Sequence, residues 1–85
     1  MYLHLGQETV VKTRDVVGIF DMDTSTVAKS TRDFLNRKEK EKEVITVTFE
    51  LPKTFVITNK KKSKKSLVYI SQLSSATLQK RNGSF

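Results

Sequence analysis

Apolar and polar residues alternate over several short segments of the chain, which is the pattern of half-buried β-strands. The clearest segment is VITVTFEL at residues 44–51, and Pro52 ends it because proline cannot donate to a strand ladder. One face of this strand carries Ile45, Val47, Phe49 and Leu51. Further strands are predicted at residues 2–5, 8–12, 16–20, 53–58 and 67–70. The first two form a hairpin that turns after Gly6, and the third is expected to be buried, with a bulge at Gly18.

A helix is predicted after the third strand. The polar stretch DMDTST at residues 21–26 contains residues that can cap the free N–H groups of a helix start, namely Asp23, Thr24 and Ser25. The apolar face that follows at helical spacing consists of Val27, Thr31, Phe34 and Leu35. The alternating charges of EKEKE at residues 39–43 predict the end of this helix or a solvated linker.

A second, short helix is predicted within residues 73–83. Ser74 is a good cap, Leu73 and Leu78 are spaced as a hydrophobic staple, and Gly83 can end the helix. The element order predicts an α+β fold: a small, mostly antiparallel sheet with one central helix and a short C-terminal helix. We expect one domain over residues 1–85, with a flexible tail at residues 82–85. A core this small favours oligomerisation.

The excess positive charge lies in the C-terminal half of the chain. Residues 1–43 hold eight basic and eight acidic residues, whereas residues 44–85 hold eight basic residues and one acid, so this half accounts for the net charge of +7. A polyanion would therefore be attracted to one region of the molecule. A protruding loop is predicted at residues 59–66, and its lysines are Lys60, Lys61, Lys62, Lys64 and Lys65. Two interpretations are open: an arm that contacts phosphates, or a solvated turn that keeps a sheet edge soluble.

Phosphate contact by lysine would select sequence only weakly, because lysine is a point charge that carries little information about bases. Lys53, in the turn after Pro52, is a lesser candidate for such a contact. Lys80 and Arg81 have a sufficient structural explanation in the dipole of the short C-terminal helix.

The sequence carries no catalytic or metal-binding pattern. His4 is the single histidine and cysteine is absent, whereas a zinc site needs three or four protein ligands. Asp21 and Asp23 lie where helix caps belong, and no phosphate-binding glycine loop is present. We therefore expect no enzymatic activity, no cofactor, no metal and no small-molecule substrate. Core packing is the expected role of the aromatic residues Tyr2, Phe20, Phe34, Phe49, Phe55 and Tyr69.

The hydropathy pattern contains no segment that could cross a membrane. The longest apolar run, VVGIF at residues 16–20, is far shorter than the roughly 20 residues that a membrane-spanning helix needs. The N-terminus has no signal-peptide pattern, and the absence of cysteine fits a reducing compartment. A soluble, cytoplasmic protein without a transmembrane segment is therefore expected.

Four stretches of the chain follow one another in a particular order: YLHLG at residues 2–6, TRDVVGIFD at 13–21, PKTFVIT at 52–58 and LSSATLQKR at 73–81. Together they resemble the RemB branch of the Rem extracellular-matrix regulators of Firmicutes. The resemblance covers nearly the whole chain in register. It implies a small cytoplasmic regulator of biofilm-matrix genes that associates with double-stranded DNA. It also implies a homo-oligomer, since the related RemA branch assembles closed rings that bind DNA.

The resemblance also implies roles for particular residues. Arg14 matches an arginine that helps to join subunits in the RemA branch. The arginine pair that contacts DNA in that branch corresponds to FELPKT at residues 49–54, where only Lys53 is positively charged. The lysine-rich loop is therefore our candidate for the DNA contact. The alternative function is an oligomeric adaptor for a protein partner or an anionic membrane surface, with incidental DNA affinity.

Overall fold

The computed structural model describes residues 2–25, 28–47, 50–60 and 66–81, and only the backbone of Ser25. Its elements are β1 (Tyr2–Gly6), β2 (Thr9–Lys12), β3 (Val16–Asp21), α1 (Met22–Ser25), α2 (Lys29–Lys40), β4 (Val44–Thr46), β5 (Thr54–Asn59), β6 (Ser66–Ser71) and α3 (Ser75–Arg81). A 3-10 turn, Thr13–Asp15, joins β2 to β3. The predicted roles of Val27, Phe49, Gly83 and the tail at residues 82–85 lie outside the described residues. The α+β fold is confirmed.

Two sheets form from the six strands of the described chain. β1 and β2 pair as the predicted antiparallel hairpin. The other four strands form one sheet in the order β3-β5-β6-β4, in which β4 and β6 are parallel and the other pairs are antiparallel. Because β3 and β4 lie at opposite edges, the segment that contains α1 and α2 carries the chain across the sheet. The sheet is therefore mostly antiparallel, as predicted.

Both faces of the central strand β5 are covered. On one face a buried cluster joins the hairpin, the sheet and α3, and it consists of Leu3, Leu5, Val11, Val47, Val56 and Leu78. On the other face Phe55 and Ile57 border a groove that Phe34 of α2 also lines. The sheet thus lies between two layers, with the hairpin and α3 on one side and α2 on the other.

The start of α3 follows the predicted capping pattern. The hydroxyl of Ser74 accepts a hydrogen bond from the backbone N–H of Thr77 at 3.2 Å. Leu78 is completely buried, and Leu73 packs against the cluster to which Leu78 belongs. Both the cap and the staple are therefore confirmed, and they hold this short helix against the hairpin.

The prediction that the third strand is buried was wrong. β3 is an edge strand, and Val17 is 65% exposed while Phe20 is 37% exposed. The predicted bulge is confirmed, because the pairing with β5 shifts register between Val16 and Gly18. The ring of Phe20 stacks on that of Phe55, with centroids 5.2 Å apart, so this edge residue is partly covered.

The strand predicted at residues 44–51 is shorter than its pattern. Regular pairing ends at Thr46, although the N–H of Val47 still donates to the carbonyl of Ile70 at 2.9 Å. Ile45 is 38% exposed and Leu51 is 82% exposed, so the predicted apolar face is wrong at both positions. An edge strand of three residues has a neighbour on one side only, and alternation in the sequence does not reveal this.

The predicted helix start is divided into two helices. The carboxylate of Asp21 accepts hydrogen bonds from the N–H groups of Asp23, at 2.9 Å, and Thr24, at 3.3 Å. The cap of α1 is therefore Asp21, one of the two acids placed at cap positions in the sequence, and not Asp23, Thr24 or Ser25. α2 begins anew at Lys29, and its preceding residue, Ala28, offers no side-chain cap. The predicted apolar face is confirmed by the half-buried Thr31, Phe34 and Leu35.

Candidate nucleic-acid interface

The structure places the two described members of the predicted DNA-binding set at opposite ends of β5. Lys53 immediately precedes this strand and Lys60 immediately follows it, and both are exposed. At a rise of about 3.3 Å per residue, seven steps separate their backbones by roughly 23 Å. The two lysines therefore belong to different surfaces. The remaining members lie outside the described residues and follow Lys60 in the sequence: Lys61, Lys62, Lys64 and Lys65.

The end of the sheet near Lys53 also carries acidic residues. The backbone of Lys53 is fixed, because its N–H donates to Ser71 at 2.9 Å and its carbonyl accepts from Met22 at 2.8 Å. Asp21 pairs with Thr54, the next residue along the chain from Lys53, and a further acid follows in α1. These carboxylates lower the positive potential around Lys53, so this end suits a polyanion less well.

Three exposed cations stand at the other end of the sheet, which we call the basic end: Lys12, Arg14 and Lys60. Their proximity follows from strand register. Val16 of β3 pairs with Thr58 of β5 in antiparallel orientation. Arg14 lies two residues before Val16 and Lys60 two residues after Thr58, so both leave the sheet at the same end. The hairpin brings Lys12 to the same cleft.

A cleft of about 650 Å³ opens among these cations. The hairpin supplies Tyr2 and Val10 to its wall, and β6 supplies Tyr69. Tyr2 is 66% exposed and Val10 is 53% exposed, so the prediction that Tyr2 packs in the core was wrong. Asp15 also lines the cleft and is only 9% exposed. The basic end therefore combines a charged rim with an accessible apolar wall.

A buried ion pair holds the start of β6. The ammonium group of Lys38, at the end of α2, donates to the carboxylate of Glu43 at 2.9 Å and to the carbonyl of Ser66 at 3.0 Å. The carbonyl of Glu43 in turn accepts from the N–H of Val68 at 2.9 Å. Of the two alternatives predicted for residues 39–43, the helix end is confirmed, because α2 ends at Lys40. The solvated linker is wrong at Glu43, which is 7% exposed.

This pair fixes the start of β6, since Ser66 is the first residue of that strand. Sequence reasoning missed it because alternating charges are usually solvated. One signal was available: Glu43 immediately precedes an apolar segment, where a carboxylate is a candidate for burial with a partner.

The single histidine lies beside one residue of the hairpin turn and one residue of α3. Its ring contacts the carbonyl of Gln7 through Nε2 at 2.6 Å, and its Nδ1 lies 3.5 Å from a guanidinium nitrogen of Arg81. Within residues 2–25, 28–47, 50–60 and 66–81, no cluster of three or more His, Cys, Asp or Glu side chains could hold a metal ion. In the same part of the chain, every helix is too short or too polar to span a membrane.

Comparisons of the sequence with known proteins identify its relatives. The family model described as "Extracellular matrix regulatory protein A-like" (RemA-like) matches residues 2–81. Over 81 residues the chain is 43% identical to "Extracellular matrix regulatory protein B" of Bacillus subtilis (strain 168), and this match covers 95% of the chain and 89% of the relative. The resemblance noted in the sequence is confirmed. The chain therefore belongs to the RemA-like family of extracellular matrix regulatory proteins.

Proposed function

We propose that this protein is a cytoplasmic, non-enzymatic regulator that binds double-stranded DNA as a homo-oligomer, mainly through contacts with phosphates. The charge distribution carries the proposal. Lys12, Arg14 and Lys60 are exposed at one end of the sheet, and four further lysines follow Lys60 within five residues of sequence. Asp21 lies at the opposite end, so the electrostatic field would orient the molecule toward a polyanion.

The chemistry of these residues favours affinity over sequence selectivity. Each lysine that neutralises a phosphate releases condensed counterions from the duplex, which drives binding at low salt. Phosphate contacts carry no base information, so different duplexes should bind alike. Lys53 is a secondary contact, because it lies roughly 23 Å from Lys60 along β5.

Homo-oligomerisation is supported by the exposed apolar surface and by the small core. Arg14 is exposed at the cleft, as a residue that joins subunits must be, and Tyr2 and Val10 beside it are exposed as well. A second copy that covered this surface would supply apolar burial that an 85-residue chain lacks. Repetition of the basic end around an assembly would also strengthen DNA binding through avidity.

Fluorescence anisotropy with labelled duplexes across a salt series tests the DNA proposal. The arm variant changes Lys61, Lys62, Lys64 and Lys65 to Gln. The control variant removes the same charge from exposed lysines elsewhere, namely Lys29, Lys40, Lys42 and Lys80. For the arm variant we expect the slope of log K against log salt to become shallower by about 3 to 4 per subunit, and the control to change much less.

Three results would count against this function. If the arm and control variants lost equal DNA affinity, net charge alone would explain the attraction to DNA. Full affinity in the arm variant would exclude the lysine-rich loop from the contact. Sedimentation with anionic vesicles, together with no duplex binding at physiological salt, would favour the adaptor function instead. Analytical ultracentrifugation of an Arg14→Gln variant tests the subunit contact separately, with a smaller assembly as the expected result.

A further inference from the structure

We propose that the cleft at the basic end binds a small anionic ligand with a planar ring, of the nucleoside phosphate class. The cleft has a volume of about 650 Å³. Small-molecule sites in proteins usually enclose roughly 300–1,000 Å³ and combine an apolar wall with a few polar groups. Neither the family description nor the DNA proposal assigns a small ligand to this protein.

The wall of the cleft suits a planar ring. Tyr2 enters from the hairpin and Tyr69 from β6, so rings from separate sheets line one space. Val10 and Leu67 supply aliphatic surface between these elements. Nucleic-acid bases stack readily on aromatic side chains, and this contact depends little on which base is present.

The rim of the cleft suits a phosphate. Arg14 can present paired N–H donors to phosphate oxygens, while Lys12 and Lys60 add point charges. Asp15, the only acid among the residues that line the cleft, can accept a hydrogen bond from a ring N–H or a sugar hydroxyl. Inorganic phosphate would use the cations alone, so the tyrosines and Asp15 favour a ligand that carries both a ring and a charge.

Such a ligand would contact Arg14, Tyr2 and Val10, which we also propose for the subunit contact. Its phosphate would contact Lys12 and Lys60, which also belong to the basic end proposed for DNA. The binding site itself does not depend on DNA contact through the lysine-rich loop. A failure of DNA binding therefore leaves the ligand proposal standing, and the reverse also holds.

Isothermal titration calorimetry of the full chain with AMP, adenosine and inorganic phosphate tests the proposal. We expect AMP to bind at least about tenfold more tightly than adenosine or phosphate, since only AMP engages both wall and rim. Arg14→Gln and Tyr2→Leu should each weaken AMP binding by about tenfold. Both residues are exposed, so these variants should fold. Lys53→Gln, with the same loss of charge, is the control, and beyond a Debye length of about 8 Å it should change affinity by less than about twofold.

A second measurement locates the ligand. The chain has two tyrosines, and both line the cleft. Nuclear magnetic resonance of protein with labelled tyrosine rings therefore reports on the cleft alone, and both ring signals should shift as AMP is added. Unshifted rings, equal affinity for phosphate and AMP, or an Arg14→Gln variant that binds AMP like its parent would each overturn the proposal.

Discussion

Replacing Lys38 by methionine would leave the carboxylate of Glu43 buried without its cation. The side chains of Lys38 and Glu43 are only 10% and 9% exposed, and 2.9 Å separates ammonium from carboxylate. Methionine has similar length and no charge, so the change removes the ion pair while it largely keeps the volume. The carbonyl of Ser66 also loses its donor. We expect Lys38→Met to be among the most destabilising single substitutions in this chain.

The magnitude follows from burial. Removal of one partner of a buried pair usually costs about 3–5 kcal/mol, because a desolvated charge is left uncompensated. The whole domain is expected to be stable by roughly 4–13 kcal/mol, at about 0.05–0.15 kcal/mol per residue. The substitution would therefore remove a large part of the stability. With a urea m-value of about 1 kcal/mol/M, the midpoint of unfolding should fall by about 3–5 M.

The assay is urea unfolding followed by circular dichroism, at one fixed protein concentration because association would contribute to stability. Arg37→Met is a control within the same helix. Arg37 contacts Glu41 at 3.6 Å, but their side chains are 65% and 51% exposed, so this pair should contribute less than about 0.5 kcal/mol. The double variant Lys38→Met/Glu43→Leu removes both buried charges and should recover most of the lost stability.

Two outcomes would refute the reasoning. If Lys38→Met and Arg37→Met lowered the free energy of unfolding by similar amounts, the Lys38–Glu43 pair would behave as a solvated ion pair. A double variant as unstable as Lys38→Met would show that the loss comes from the contact with Ser66 or from packing, and not from the charge of Glu43.

Three further changes in the free energy of unfolding can be measured with the same urea assay. Gly18→Ala should destabilise by about 1 kcal/mol, because a Cβ there would lie 2.6 Å from the ring of Phe20 and would push it away from Phe55; an unchanged midpoint would show that the ring moves freely. Ser71→Ala should destabilise by about 1–3 kcal/mol, because this fully buried hydroxyl donates to the carbonyl of Leu5 at 2.6 Å and accepts from the N–H of Leu73 at 3.1 Å. A smaller loss of stability would mean that a water molecule replaces the hydroxyl. Ser74→Ala should cost about 1 kcal/mol through loss of the α3 cap, and Ser74→Asp, which keeps an acceptor, should cost less.

The sequence predicted correctly those features that depend only on residues close to one another in the chain. The hairpin, the bulge at Gly18 and the cap at Ser74 depend on turn chemistry and backbone geometry within a few residues. The predictions failed where a distant strand decides burial. The alternation over residues 44–51 does not show that β4 has one neighbour, nor does the apolar run of β3 show that it lies at an edge.

The candidate site was only partly predictable for the same reason. The concentration of charge in one half of the chain, and a family resemblance that includes Arg14, can be read from residue order alone. The separation of Lys53 from Lys60, the approach of Lys12 to Arg14 and the burial of Lys38 cannot. These depend on strand register and on packing between elements far apart in the chain.

By itself, then, the sequence determined the element types, the sign and location of the charge, and the family. Only the tertiary structure decided which cations share a surface and which charge is buried. The physical reason is that propensity and charge are properties of single residues and their neighbours, whereas desolvation and electrostatic proximity depend on distances across the fold.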